Sequence, residues 1–203
     1  MKKSFLFGMA MVVLSFVSAH AEPLDSRAQT ALDWINGIHT LKARFSQVGP
    51  DGMALHGTFY LKRPGRLRFA YDPPVADFVV ADGHFIYFWN AELQQQSNAP
   101  IGSTIADLLL RAKIEPGEDM AVTDVREGTD GLRLSLASAK EPEQGSLTLV
   151  FAEDPFRLVR WEVLDALGQV THVFLDSVET DVPLDADLFY FIDPTRKLGE
   201  LNR

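Results

Sequence analysis

The sequence predicts a mainly β protein: one curved antiparallel sheet accompanied by two helices. Three observations predict it. Apolar and polar residues alternate over most of the chain, the period of a half-buried strand. The alternating runs follow one another through short turns rich in Gly, Pro and Asp, as in a meander. Helical spacing occurs in two places, and in neither does it link strands in a parallel crossover.

The elements begin with a leader. Lys2 and Lys3 precede an apolar stretch, Ser4 to Val17, and Ala19-His20-Ala21 places small residues where a signal peptidase cuts. The stretch is shorter than the roughly 20 apolar residues that span a bilayer. Residues 1–21 are therefore expected to be a cleaved signal peptide, and 22–203 a single secreted domain. Asp25 or Ser26 can cap a helix whose apolar face is Ala28, Ala31, Leu32, Ile35 and Ile38, with Gly37 near its end.

The period then changes to two. Leu41, Ala43 and Phe45 form one run; Leu55, Gly57, Phe59 and Leu61 a second; Leu67, Phe69 and Tyr71 a third. The turns between them are Gly49-Pro50-Asp51-Gly52, Pro64-Gly65 and Pro73-Pro74. Phe78-Val79-Val80 is a further strand, and Asp82-Gly83 is a hairpin signal. The next run, His84 to Asn90, is apolar on both faces, with Phe85, Tyr87, Phe88 and Trp89.

Ser103 or Thr104 can cap a second helix carrying Ile105, Leu108, Leu109 and Ala112 on one face. Four more strands follow: Met120 to Val125, Leu132 to Ser138, Ser146 to Phe151 and Leu158 to Leu164. Val170 to Asp176 is the last clear one, before a closing segment with Phe189, Phe191 and Pro194. About ten strands result. The helices either pack outside a closed barrel or fill the hollow of an incomplete one.

Composition narrows the function. There is no cysteine, hence no disulfide, no thiolate metal site and no thiol to carry a lipid anchor. Loss of Lys2 and Lys3 takes the formal net charge from −9 to −11, which disfavours nucleic acid and anionic lipid surfaces. His39, His56, His84 and His172 form no metal-binding pair at helical spacing, and there is no Gly-x-Ser-x-Gly elbow or phosphate loop. Asp181, Asp185 and Asp187 lack the pattern of a calcium loop. No catalytic residue, metal or cofactor is expected, although carboxylates assembled by the fold would leave a secreted hydrolase as an alternative.

Arg63 follows Phe59 and Leu61 at even spacing, so a continuing strand would point it to their face. A guanidinium there needs acceptors, and the free carbonyls at a helix end are natural ones. A solvated arginine in the turn is the other reading of the same pattern.

The order of these motifs resembles the outer-membrane lipoprotein carrier family, LolA. The landmarks are Leu41-x-Ala43-x-Phe45-x-Gln47, Gly57-x-Phe59-x-Leu61-Lys62-Arg63-Pro64-Gly65-Arg66 and Phe69-x-Tyr71-x-x-Pro74. Asp82-Gly83 with Tyr87 and Trp89, and Phe189-x-Phe191-x-x-Pro194, complete them. The resemblance implies an unclosed antiparallel β-barrel (a half-barrel) enclosing an apolar cavity under an α-helical lid. It implies a monomeric periplasmic chaperone that takes acylated lipoproteins from an inner-membrane lipoprotein-releasing ABC transporter. The cargo passes to an outer-membrane receptor, LolB or its equivalent. It also implies that Arg63 contacts the lid when closed and that Leu67 lies near a rim used in transporter contact. A periplasmic carrier of another lipid or glycolipid is the alternative.

Parity and resemblance together place Leu41, Phe45, Phe59, Leu67, Phe69, Tyr71, Phe85, Tyr87 and Trp89 in the cavity wall. They place Arg63, Ile105, Leu108 and Leu109 at the lid. A carrier that must also release its load is expected to keep a roomy, loosely packed hollow.

Overall fold

The computed structural model describes residues 24–196; the signal-peptide reading of 1–21 lies outside them. Helix α1, Ser26–Gly37, opens the chain. Asp25 caps it, its carboxylate accepting from the Arg27 N–H at 2.8 Å. Its inward face is Ala28, Ala31, Leu32 and Ile35, all buried.

Six strands follow: β1 Thr40–Val48, β2 Ala54–Lys62, β3 Arg66–Tyr71, β4 Phe78–Asp82, β5 Phe85–Asn90 and β6 Gln95–Pro100. After a one-turn helix α2, Asp107–Leu110, come β7 Met120–Gly128, β8 Gly131–Ser138, β9 Gly145–Glu153, β10 Phe156–Asp165 and β11 Val170–Thr180. They form a single antiparallel sheet in the order β6-β5-β4-β3-β2-β1-β11-β10-β9-β8-β7. Two meanders, β1–β6 and β7–β11, are thus joined through the β1–β11 pair, and β6 and β7 stand at the two edges. The architecture is mostly β with one large unclosed sheet, as expected.

Side-chain proximity shows how strongly the sheet curls. β2 and β10 are three strands apart, about 14 Å on a flat sheet. Yet the rings of Phe59 on β2 and Trp161 on β10 lie 5.0 Å apart. The concave face holds the core, and α1 is seated in it with Trp34 edge-on to Phe151 of β9 at 5.6 Å. Of the two arrangements left open by the sequence, the helices fill the hollow of an incomplete barrel.

Two elements differ from expectation. There are eleven strands, because Gln95–Pro100 pairs with β5 although it lacks any strand-like apolar alternation. The second helix is only one α-turn, preceded by a 3₁₀ turn at Ile101–Ser103. Neither Ser103 nor Thr104 caps it; their hydroxyls bond the carbonyls of Pro100 and Ile101. At Arg111 the backbone turns extended (ψ 147°), so Ala112 lies beyond the helix. A single turn cannot pay its own nucleation cost, and it persists because Leu108, Leu109 and Leu110 are all buried.

Candidate functional site

The concave wall is built by pairing register. Leu41 faces Leu61, Ala43 faces Phe59 and Phe45 faces Gly57 across β1–β2. Phe59 faces Phe69, Leu61 faces Leu67 and Gly57 faces Tyr71 across β2–β3. Partners across a ladder share a face, so Leu41, Phe45, Phe59, Leu67, Phe69 and Tyr71 line one surface. Their rings interlock: Phe45 stands edge-on to Phe69 at 5.2 Å and to Tyr71 at 5.4 Å, and Phe59 lies 4.8 Å from Phe69. Gly57 is required here, because a Cβ would sit 2.2 Å from the Ala70 carbonyl oxygen and 2.7 Å from the Phe45 ring. Burial pushes the Tyr71 phenol up, so it is a neutral donor, and it bonds Gln47 Oε1 at 3.1 Å.

The cover consists of α1 and the segment from Ile101 to Ile114. Leu108 and Leu109 are buried against the wall, and Ile105 packs at its margin. Arg63 ties both parts of this cover to the sheet. Its Nε donates to the Arg111 carbonyl at 2.8 Å, one Nη to the Ile35 carbonyl, and the other to Asn36 Oδ1 at 3.3 Å and the Ala112 carbonyl at 3.4 Å. The residue keeps 8% of its exposure. Burial pulls its pKa down from the usual arginine value, and all its acceptors are neutral oxygens. Gly65 of the same turn donates its N–H to the Leu110 carbonyl at 2.8 Å. The extended exit from α2 is what turns the Arg111 and Ala112 carbonyls toward Arg63.

Asn36 is a second tie. Its side-chain nitrogen donates to the Ile114 carbonyl at 2.9 Å, and its oxygen accepts from the Ile114 N–H at 2.8 Å. It therefore joins the end of α1 to the far end of the cover.

Comparison with known proteins finds an outer-membrane lipoprotein carrier protein of Methylococcus capsulatus 27% identical over 199 residues, covering 94% of this chain and 93% of that one. One of Methylibium petroleiphilum is 30% identical over 195 residues, covering 92% and 93%. A solved LolA superfamily protein of Nitrosomonas europaea aligns over 81% of this chain and 97% of its own, at 12% identity and a TM-score of 0.44. The family model described as outer membrane lipoprotein carrier protein LolA matches residues 36–192. The chain belongs to the LolA family.

Within this LolA chain, part of the expected wall needs correction. Phe85, Tyr87 and Trp89 do not face the hollow. Val79 and Ala81 share the concave face with Phe69 and Leu67, and they pair with Phe88 and Ile86. Ile86 and Phe88 are thus the concave residues of β5. Phe85, Tyr87 and Trp89 point to the convex side, where Phe191 stacks on Tyr87 at 5.1 Å and Phe78 stacks on Trp89 at 6.3 Å. The strand is apolar on both faces because the closing segment covers its back, so alternation alone carried no sign of which face was which.

The hollow of this LolA chain is also not roomy as described. Its own helices fill it: Ile35, Leu108 and Leu109 retain 0%, 3% and 5% of their exposure. Open space lies instead at the end of the sheet away from Arg63. A cleft of about 550 Å³ there is lined by Leu55, Tyr71, Val79 and Phe88 together with Gln95 and Ser97, and Trp89 also borders it. Trp161, which completes the aromatic cluster, was missed because its approach depends on sheet curvature.

Proposed function

We propose that the protein is a periplasmic chaperone that shields the acyl chains of lipoproteins. It carries them from an inner-membrane ABC transporter to an outer-membrane receptor, LolB or its equivalent, and performs no catalysis. In this reading residues 1–21 direct secretion and 22–203 act as one carrier domain. The names of its relatives support the cargo class.

The observation that carries the reading is an aromatic wall roofed by apolar segments, with the roof held by one turn of the sheet. Each methylene moved out of water is worth about 0.8 kcal/mol, so three long acyl chains resist leaving a bilayer by roughly tens of kcal/mol. Transfer through water needs an apolar surrogate. Here the surrogate is occupied by the protein's own leucines until cargo replaces them, which keeps the net preference for cargo modest and permits release.

The test is depletion of the protein in its native host, followed by separation of the two membranes. Lipoproteins destined for the outer membrane should accumulate in the inner one. Restoration by the wild type but not by Phe69→Glu is expected. Unchanged lipoprotein location after depletion would reject the reading.

A further inference from the structure

We infer that the free edge of β6 docks an extended polypeptide, the stretch of cargo chain that follows its acylated residue. This rests on the carrier reading above. The two edges of the sheet are built differently. β7 carries a register shift between Val122 and Asp124 and the charges Asp124, Arg126 and Glu127, with Glu127 tied to Arg27 of α1 at 3.3 Å. Bulges, charges, prolines and helix cover are devices that keep an edge from pairing. β6 has only a proline, Pro100 at its very end. Its six residues pair with β5 in unbroken register, none is charged, and all but Ala99 are exposed. Among the described residues no further strand lies beyond it.

The ladder shows which groups are free. Ile101 N–H donates to the His84 carbonyl at 3.0 Å just past the strand end. Ladder bonds alternate along an antiparallel pair, so Ala99, Ser97 and Gln95 bond β5 while Asn98 and Gln96 turn their N–H and C=O outward. Pro100, which has no N–H, falls on the outward side.

Position and charge select the occupant. Gln95 and Ser97 line the same cleft as Tyr71 and Phe88, so acyl chains lodged there would bring the attached polypeptide to this edge. The chain's net charge of −9 disfavours a second copy of itself. Strand addition reads backbone rather than sequence, which suits a carrier of many polypeptides bearing one kind of lipid.

The test uses two synthetic lipopeptides with the same acylated head. One has an uncharged tail of about ten residues, enough to pair with β6, and the other a tail of about two. The wild type should bind the long tail about tenfold more tightly, equivalent to about 1.4 kcal/mol. Asn98→Pro removes an outward N–H without touching the β5 ladder and should erase that gain, whereas Asn98→Ala should keep it. Equal binding of both tails by the wild type, or equal loss for both in Asn98→Pro, would overturn the proposal and leave the carrier reading intact. So would a wild-type dimer that Asn98→Pro dissolves, since the edge would then belong to a second copy. Failure of both lipopeptides to bind would remove the carrier reading and this inference with it.

Discussion

Arg63 presents five N–H donors on a rigid plane, and two separate segments of chain turn neutral oxygens toward it. A buried cation held by carbonyls alone fixes geometry without the depth of an ion pair, which suits a catch that must open. Asn36 shares the load, because it accepts from Arg63 and bonds both backbone groups of Ile114. Asn36→Ala would leave those groups without partners, at about 1–3 kcal/mol for a buried polar group so stranded. The melting temperature should fall and the Ile114 amide should exchange faster with solvent. An Ile114 amide as slow in Asn36→Ala as in the wild type would show that Asn36 does not hold the cover. Parity left Arg63 between a helix-end contact and a solvated turn, and because β2 ends at Lys62 only the folded cover decides between them. Asn36 was not legible in the sequence, since an Asn before Gly at a helix end reads only as a terminator.

At the scale of elements, β5 separates what alternation can tell from what it cannot. In β1, β2 and β3 one face carries Lys, Arg and Thr, so the apolar face is unambiguous and the wall from Leu41 to Tyr71 could be read from the residues. β5 has aromatic residues on both faces, and its sign is set only by pairing with β4 and by the closing segment behind it. β6 was invisible because it has no apolar pattern at all, and α2 was overestimated because three buried leucines in a row suit any enclosed segment. Phe85 and Phe88 provide a matched test of the faces, being 41% and 44% exposed on opposite sides of one strand. Phe88→Gln should weaken binding of an acylated peptide roughly fivefold, for a loss of about 1 kcal/mol of apolar contact. Phe85→Gln should leave binding unchanged. Equal effects of the two would mean that the ligand does not use the concave face of the sheet.

At the scale of the whole molecule, the sheet and its cover differ in what holds them. β1 lies in the middle of the eleven strands, paired to β2 on one side and β11 on the other, so freeing its amides requires the sheet to come apart. The cover from Leu108 to Ile114 is held by the bonds of one short helix, by Gly65, and by the ties to Arg63 and Asn36. Segments with few bonds and replaceable apolar contacts open well below the free energy of global unfolding. Native-state hydrogen exchange should therefore show Leu110, Arg111 and Ile114 opening together, at a lower free energy than Leu41 to Phe45. An acylated peptide at saturation competes for the surface those leucines cover, because cargo and cover bind the same aromatic wall. Linkage then requires the ligand to favour the opened cover, so exchange at Leu110, Arg111 and Ile114 should quicken while exchange along β1 slows or stays the same. Slower exchange at those three amides on binding would place the acyl chains elsewhere, because a ligand that shares the hollow with its cover cannot also tighten it.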